Sequence, residues 1–121
     1  MHCIGIDIIE IVRIEGIIAR WGESFLQRVY TKSEIKLYRH NLSSLAARFA
    51  GKEAVIKALR TGNKAICWKE IEILSEPSGK PLVRLYGRAK SQAHSLGLDT
   101  LGISLSHSKQ HAIALVTGEA R

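Results

Sequence analysis

The sequence predicts a single α+β domain: an antiparallel sheet with helices packed on one side, one of them long and central. Three observations predict it. A chain of 121 residues suits one domain, long enough to bury a core without disulfides or a structural metal. Its apolar pattern runs strand, helices, hairpin, helix, hairpin; consecutive hairpins imply antiparallel pairing, and clustered helices imply α+β. Finally, Arg48-Phe49-Ala50-Gly51-Lys52-Glu53-Ala54-Val55-Ile56-Lys57-Ala58 reads as a buried helix with charge in its middle.

Cys3 to Ile9 is rich in β-branched residues and reads as a strand, with Ile4, Ile6 and Ile8 on one face and Gly5, Asp7 and Ile9 on the other. From about Glu10 to Trp21 a helix is expected, its apolar side made by Ile11, Ile14, Ile17 and Ile18 and its stop by Gly22. Thr31-Lys32-Ser33-Glu34 fits a capping box opening a short helix to about Tyr38. The segment from Asn41 to Ser44 offers caps for the long helix, expected from about Ser44 to Arg60 and ended by Thr61-Gly62-Asn63. Trp68 to Leu74 reads as a half-exposed strand, Ile71 and Ile73 inward, Glu70 and Glu72 outward. A turn over Glu76–Pro81 returns it as Leu82–Tyr86. Gly87–Leu96 reads as a helix stopped by Gly97. Leu101–Ser106 and Ala112–Val116 form the last hairpin, joined by a turn through His107-Ser108-Lys109-Gln110-His111. No repeat, low-complexity tract or long linker divides the chain.

The net charge of +7 implies an acidic partner: nucleic acid, an acidic protein or a phosphate-rich ligand. The seven aromatics are not interleaved with basic runs, which argues against a base-stacking platform for single strands. Cys3 and Cys67 have no metal-ligand spacing and read as free thiols in a reducing compartment. Asp7 and Glu10 interrupt the opening apolar run, so no signal peptide is expected, and no segment reaches the ~18–20 apolar residues of a membrane span. The protein is expected to be cytoplasmic.

Several residues stand out as candidates for chemistry. At helical spacing Ala46, Ala50, Glu53 and Lys57 share one stripe, whose small residues leave room for something to approach the Glu53–Lys57 pair. The plainer alternative is a solvated ion pair. Asp7 is a lone carboxylate in an apolar strand, needing either a turn to cap or a cation. Asp7 with Glu53 matches a magnesium site, since magnesium takes one or two carboxylates and completes its shell with waters and phosphates. Lys57, one turn away, would balance phosphate charge. Ser104-Leu105-Ser106-His107-Ser108 together with the turn Gly79-Lys80-Pro81 offers hydroxyls, an imidazole and backbone N–H groups to a phosphate or nucleotide edge. No G-x-S-x-G elbow supports a Ser-His nucleophile, and His107 and His111 lack a third zinc ligand. Arg13 and Arg20 share a helix face, with Arg28 beyond the break: a docking face for an acidic helix, or a solvated basic face.

These motifs together resemble the small bacterial type of the 4′-phosphopantetheinyl transferase superfamily, the holo-[acyl-carrier-protein] synthases. Gly5-Ile6-Asp7-Ile8 is similar to that family's first motif. Phe25-Leu26-Gln27-Arg28-Val29-Tyr30-Thr31 with Glu34 is similar to its second, and Arg48 to Ala54 with Lys57 to its central one. Trp68–Ile73, Gly79-Lys80-Pro81 and Ser104-Leu105-Ser106-His107 follow in the same order, so the likeness spans nearly the whole chain. Gly51 departs from the family's usual alanine, a change worth up to ~1 kcal/mol of helix stability that touches no candidate ligand.

The resemblance implies a reaction: 4′-phosphopantetheine passes from coenzyme A to a serine of apo-acyl carrier protein, magnesium-dependently, releasing adenosine 3′,5′-bisphosphate. It implies that Asp7 and Glu53 hold the metal and that Lys57 contacts the pyrophosphate. Ser106, His107 and Gly79-Lys80-Pro81 would hold the 3′-phosphate end, and Arg48 would bind phosphate or brace the helix. It further implies a homotrimer with sites at subunit boundaries. The acidic carrier protein would account for the net charge and for Arg13, Arg20 and Arg28, with neither nucleic acid nor membrane as partner. The alternative is a small basic nucleic-acid-binding module without enzymatic activity, which leaves Asp7, Glu53 and the Ser-His segment without a role.

Overall fold

The computed structural model describes residues 2–60 and 65–120. The chain runs β1 (His2–Glu10), α1 (Ile11–Trp21), α2 (Glu23–Val29), α3 (Lys32–Tyr38), α4 (Leu42–Ala58), β2 (Ile71–Ser75), β3 (Pro81–Leu85), α5 (Gly87–Ser95), β4 (Leu98–His107) and β5 (His111–Ala120). This is the α+β class expected, with one difference. The strands form two antiparallel sheets, β1-β5-β4 and β2-β3, rather than one.

Helix α4 is the centre of the molecule. Ala46, Ala50, Ala54 and Val55 are completely buried, with β1 and β5 beneath the helix. The helix has no exposed stripe of its own, because other elements cover it nearly all round; Glu53 and Lys57 are among the few side chains that emerge. The alanines therefore make room for the sheet, not for a ligand, and that part of the sequence reading is corrected. Gly5 carries the closest approach. A Cβ there would lie 2.0 Å from Ala54 O and 2.9 Å from Ala58 N, so only glycine lets α4 sit this low on β1.

Local chemistry explains the element ends. Thr31 accepts from Glu34 N, and Glu34 Oε1 accepts from Thr31 N at 2.8 Å, the reciprocal box read from the sequence. Asn41 Oδ1 accepts from Ser44 N and starts α4 two residues before the expected Ser44. The helix ends at Ala58 with Leu59 as its cap; the expected stop at Thr61-Gly62-Asn63 lies outside the described residues. Gly22, at φ 54°, turns the chain between α1 and α2. Helix α2 was not anticipated, and it places Arg28, beyond the break at Gly22, on a helix of its own.

The β2 region also departs from expectation. Trp68–Glu70 is a turn of 3₁₀ helix and the strand begins at Ile71. Glu72, expected outward, is buried, held by Thr31 Oγ1 at 2.5 Å and Tyr86 OH at 3.1 Å. Glu70 accepts from Cys67 N and from Arg88 N and Ala89 N, so it caps the start of α5.

Beneath these elements lies a fully buried ion pair, Lys52 with Glu34, 2.7 Å apart. Lys52 Nζ also donates to Trp68 O and Ile71 O, and Glu34 Oε2 accepts from Ile73 N. One lysine thus joins α4, α3 and β2. Burial lowers the Lys52 pKa below its ordinary value, and the Glu34 charge opposes that shift.

Candidate active site

The metal-side residues converge. On β1 the odd residues face α4, which brings Asp7 beside the helix while Ile4, Ile6 and Ile8 stand exposed on the other face. Lys57 Nζ donates to Asp7 Oδ1 at 3.1 Å and to Ile6 O at 3.0 Å. Glu53, one helical turn before Lys57, is half-buried on the same flank. Its burial and the nearby Asp7 carboxylate push its carboxyl pKa upward, against the opposing pulls of the Trp68 indole and the Lys57 ammonium. Asp7 is thus close enough to Glu53 to disfavour its charge, and a cation between them would relieve the repulsion.

The donor set fits a hard cation that keeps open positions. Among the described residues no group of three or more His, Cys, Asp or Glu could enclose a metal. Two carboxylate donors with the remaining positions left to water and phosphate are what magnesium tolerates and zinc does not.

The second set of predicted residues gathers elsewhere. Gly79, Pro81, Ser106 and His107 line a cavity of about 260 Å³ with Arg48, Tyr38, Ser44 and Ser75. Lys80 is exposed and does not line it. Gly79, at φ 92°, turns the β2–β3 hairpin toward this cavity, and Ser108, whose Oγ accepts from Gln110 N and His111 N, shapes the β4–β5 turn beside it. Arg48 is 6 % exposed; it donates to Ile73 O and Ser75 Oγ, and its guanidinium lies 3.7 Å from the Tyr38 ring centre. It braces the hairpin while its remaining N–H groups stay at the cavity, so the two roles weighed for it are compatible.

The two sets stand on opposite flanks of α4. Arg48 and Lys57 are nine residues apart, which at about 100° per residue is half a turn beyond two full ones. The helix body, roughly 10–12 Å across with side chains, separates them within one chain.

Arg13 and Arg20 on α1 and Arg28 on α2 are exposed and make no ion pair among the described residues. Arg20 lies over the ring of Trp21, itself 57 % exposed. Next to them an apolar groove of about 410 Å³ is lined by Ile17, Trp21, Phe25, Val29 and Trp68, with Arg28 at its rim.

Sequence reasoning missed Lys52, Glu34 as an ion-pair partner, Tyr38 and Trp68. Only the Lys52–Glu53 succession inside an apolar helix hinted at them, since adjacent charges there must face different surroundings.

Comparison with known proteins shows the family. The profile of the 4′-phosphopantetheinyl transferase superfamily matches residues 3–116. The chain is 51 % identical over 115 residues to the holo-[acyl-carrier-protein] synthase of Dehalococcoides mccartyi (strain CBDB1), covering 95 % of this chain and 96 % of that protein. It is 46 % identical over 121 residues to that of Herpetosiphon aurantiacus, covering 94 % and 95 %. Among solved structures it is similar to Helicobacter pylori holo-[acyl-carrier-protein] synthase in complex with coenzyme A. The TM-score is 0.85 at 38 % identity, over 96 % of this chain and 99 % of that one.

Proposed function

The chain belongs to the 4′-phosphopantetheinyl transferase superfamily, and from that premise we propose that the two flanks of α4 are the two halves of its active site. The protein is a holo-[acyl-carrier-protein] synthase in activity: it transfers 4′-phosphopantetheine from coenzyme A to a serine of apo-acyl carrier protein. The observation that carries the assignment of residues is the convergence of Asp7, Glu53 and Lys57 on one flank.

Asp7 and Glu53 hold magnesium through hard carboxylate oxygens, a choice supported by their proximity and by the absence of a third ligand among the described residues. When bound, the ion supplies positive charge against the pyrophosphate of coenzyme A. Lys57 adds a second positive charge beside Asp7, and its exposed ammonium is free to turn toward a phosphate oxygen. Arg48, His107, Ser106 and the Gly79-Lys80-Pro81 turn hold the 3′-phosphate end, the bracing of Arg48 keeping its guanidinium in place. Transfer then rests on positioning and charge neutralisation, as phosphoryl-group transfer generally does.

The site is shared between chains in a homotrimer. Two features support this: the half-turn between the two groups, and the exposed apolar sheet face of Ile4, Ile6, Ile8 and Leu115. A neighbour resting on that face would bring one chain's cavity toward another's Asp7. The acidic carrier protein docks on Arg13, Arg20 and Arg28, with the groove beside them taking its apolar residues. No helix among the described residues is long and apolar enough to cross a membrane, and the free thiols of Cys3 and Cys67 suit the cytoplasm.

The test is direct. Coenzyme A and apo-acyl carrier protein are incubated with the protein, with and without magnesium, and the carrier's mass is followed. A magnesium-dependent gain of one phosphopantetheine is expected. No gain with any carrier protein overturns the reading and favours the nucleic-acid alternative.

A further inference from the structure

Helices α3 and α4 face each other through two rungs. Glu34 and Tyr38 are four apart on α3, and Arg48 and Lys52 are four apart on α4, so each pair shares one helix face. Glu34 meets Lys52 at 2.7 Å, and the Tyr38 ring centre lies 3.7 Å from the Arg48 guanidinium carbon. The first rung is fully buried and electrically closed, a carboxylate against an ammonium. The second rung differs in both respects. It stands at the cavity that also holds Ser106 and His107, and its cation has no carboxylate. Arg48 is 6 % exposed, yet none of the ion pairs among the described residues includes it. A cation buried this far needs compensation. Its protein partners are neutral: Ile73 O accepts from Nε and Ser75 Oγ from Nη2, each at 3.0 Å, and the Tyr38 ring lies against the guanidinium. Nη1 has no hydrogen-bond partner among the described residues.

We propose that Tyr38 is a positioning residue for Arg48: its ring holds the guanidinium plane so that Nη1 faces the cavity, and its neutrality leaves the positive charge for the 3′-phosphate of coenzyme A. This rests on the placement of that phosphate in the Arg48 cavity. Nε and Nη2 lie on one edge of the guanidinium. Bonds to Ile73 O and Ser75 Oγ hold that edge but leave the plane free to rock about it. A ring stacked on the plane removes the rocking motion. The ring also attracts the cation through its quadrupole while carrying no net charge. A glutamate at the same place would repeat the first rung, neutralise Arg48 and repel a phosphate. The ring is itself held in place. One turn earlier on α3, Glu34 is fixed by Lys52 and by the Thr31 capping box, so the first rung sets where the second one lies.

The experiment measures binding of coenzyme A, and of 3′-dephospho-coenzyme A, to the full chain by titration calorimetry at one ionic strength. The second ligand lacks only the phosphate in question. The readout is the ratio of the two dissociation constants, which a general loss of stability does not move. Wild type should prefer coenzyme A, and Arg48→Met should erase the preference. Tyr38→Phe keeps the ring and should keep the ratio. Tyr38→Leu keeps an apolar contact and should cut the ratio about tenfold by weakening coenzyme A alone, the size of a partly desolvated cation–π contact. Tyr38→Glu should cut it further. If Tyr38→Leu does not fold, pentafluorophenylalanine at position 38 keeps the shape and reverses the ring's charge distribution, and it should lower the ratio likewise. An unchanged ratio in folded Tyr38→Leu or in the fluorinated protein overturns the role of Tyr38, as does a loss in Tyr38→Phe equal to that in Tyr38→Leu. If wild type shows no preference, or Arg48→Met keeps it, the placement of the 3′-phosphate at Arg48 falls, and this inference with it.

Discussion

Replacing Lys52 by Met tests the frame on which both flanks of α4 depend. The substitution keeps an unbranched side chain of similar volume and removes the ammonium. Lys52 is 0 % exposed, and its charge meets Glu34 Oε1 at 2.7 Å, Trp68 O at 3.1 Å and Ile71 O. Without it the Glu34 carboxylate, also 0 % exposed, keeps bonds from Thr31 N and Ile73 N but loses its counter-charge. Breaking one partner of a buried pair costs about 3–5 kcal/mol, most of it from the charge left behind. At an unfolding entropy of ~2.1 cal/mol/K per residue, this chain loses about 12–20 °C of melting temperature. The assay is thermal and urea unfolding at fixed protomer concentration, since assembly itself contributes to apparent stability. Glu34→Gln and the double variant Glu34→Gln/Lys52→Met complete a cycle, in which the double should cost clearly less than the sum of the singles. A Lys52→Met protein within about 1 kcal/mol of wild type, or strictly additive singles, would refute the claim that this pair ties α3, α4 and β2 together.

Glu53→Gln keeps the shape and loses the charge a cation requires, so transfer should nearly vanish with the melting temperature unchanged; near wild-type rates at limiting magnesium would contradict the metal assignment. Gly5→Ala forces a Cβ onto Ala54 O and should cost upwards of ~1–3 kcal/mol as α4 lifts from β1, whereas Gly16→Ala on α1, with open space around it, should gain up to ~1 kcal/mol; equal effects in unfolding experiments would discredit the close-approach argument. Arg13→Glu with Arg20→Glu should raise the Michaelis constant for carrier protein far more than that for coenzyme A, with the difference shrinking at high salt because exposed charges are screened over about 8–10 Å. Asp7→Ala and His107→Ala chains, each inactive alone, should regain activity when mixed into one assembly, because some boundaries then pair two intact halves; verified mixed assemblies that stay inactive would place the whole site in one chain.

The sequence by itself determined what depends on neighbours a few residues away. The Thr31–Glu34 capping box, the Asn41 cap, the hairpin turn at Gly79 and the alternation of β1 are written in spacings of two to four residues, and the structure reproduces them. Asp7, Glu53 and Lys57 were legible because charge in an apolar strand and an apolar helix is costly enough to stand out. What the tertiary structure decided depends on distant partners. Helix α2 has only seven residues and forms against its neighbours rather than from its own propensity. The alternation of β2 could not say that Glu72 is the inward residue, because its acceptors are filled by Thr31 and Tyr86, 41 and 14 residues away. Helix α4 is enclosed nearly all round, so its periodicity gave no sign that Lys52 dives into the core while Glu53 turns out. The separation of Asp7, Glu53 and Lys57 from His107 and Arg48 likewise exists only in three dimensions, because it is the width of a helix lying across a sheet that puts them on opposite sides.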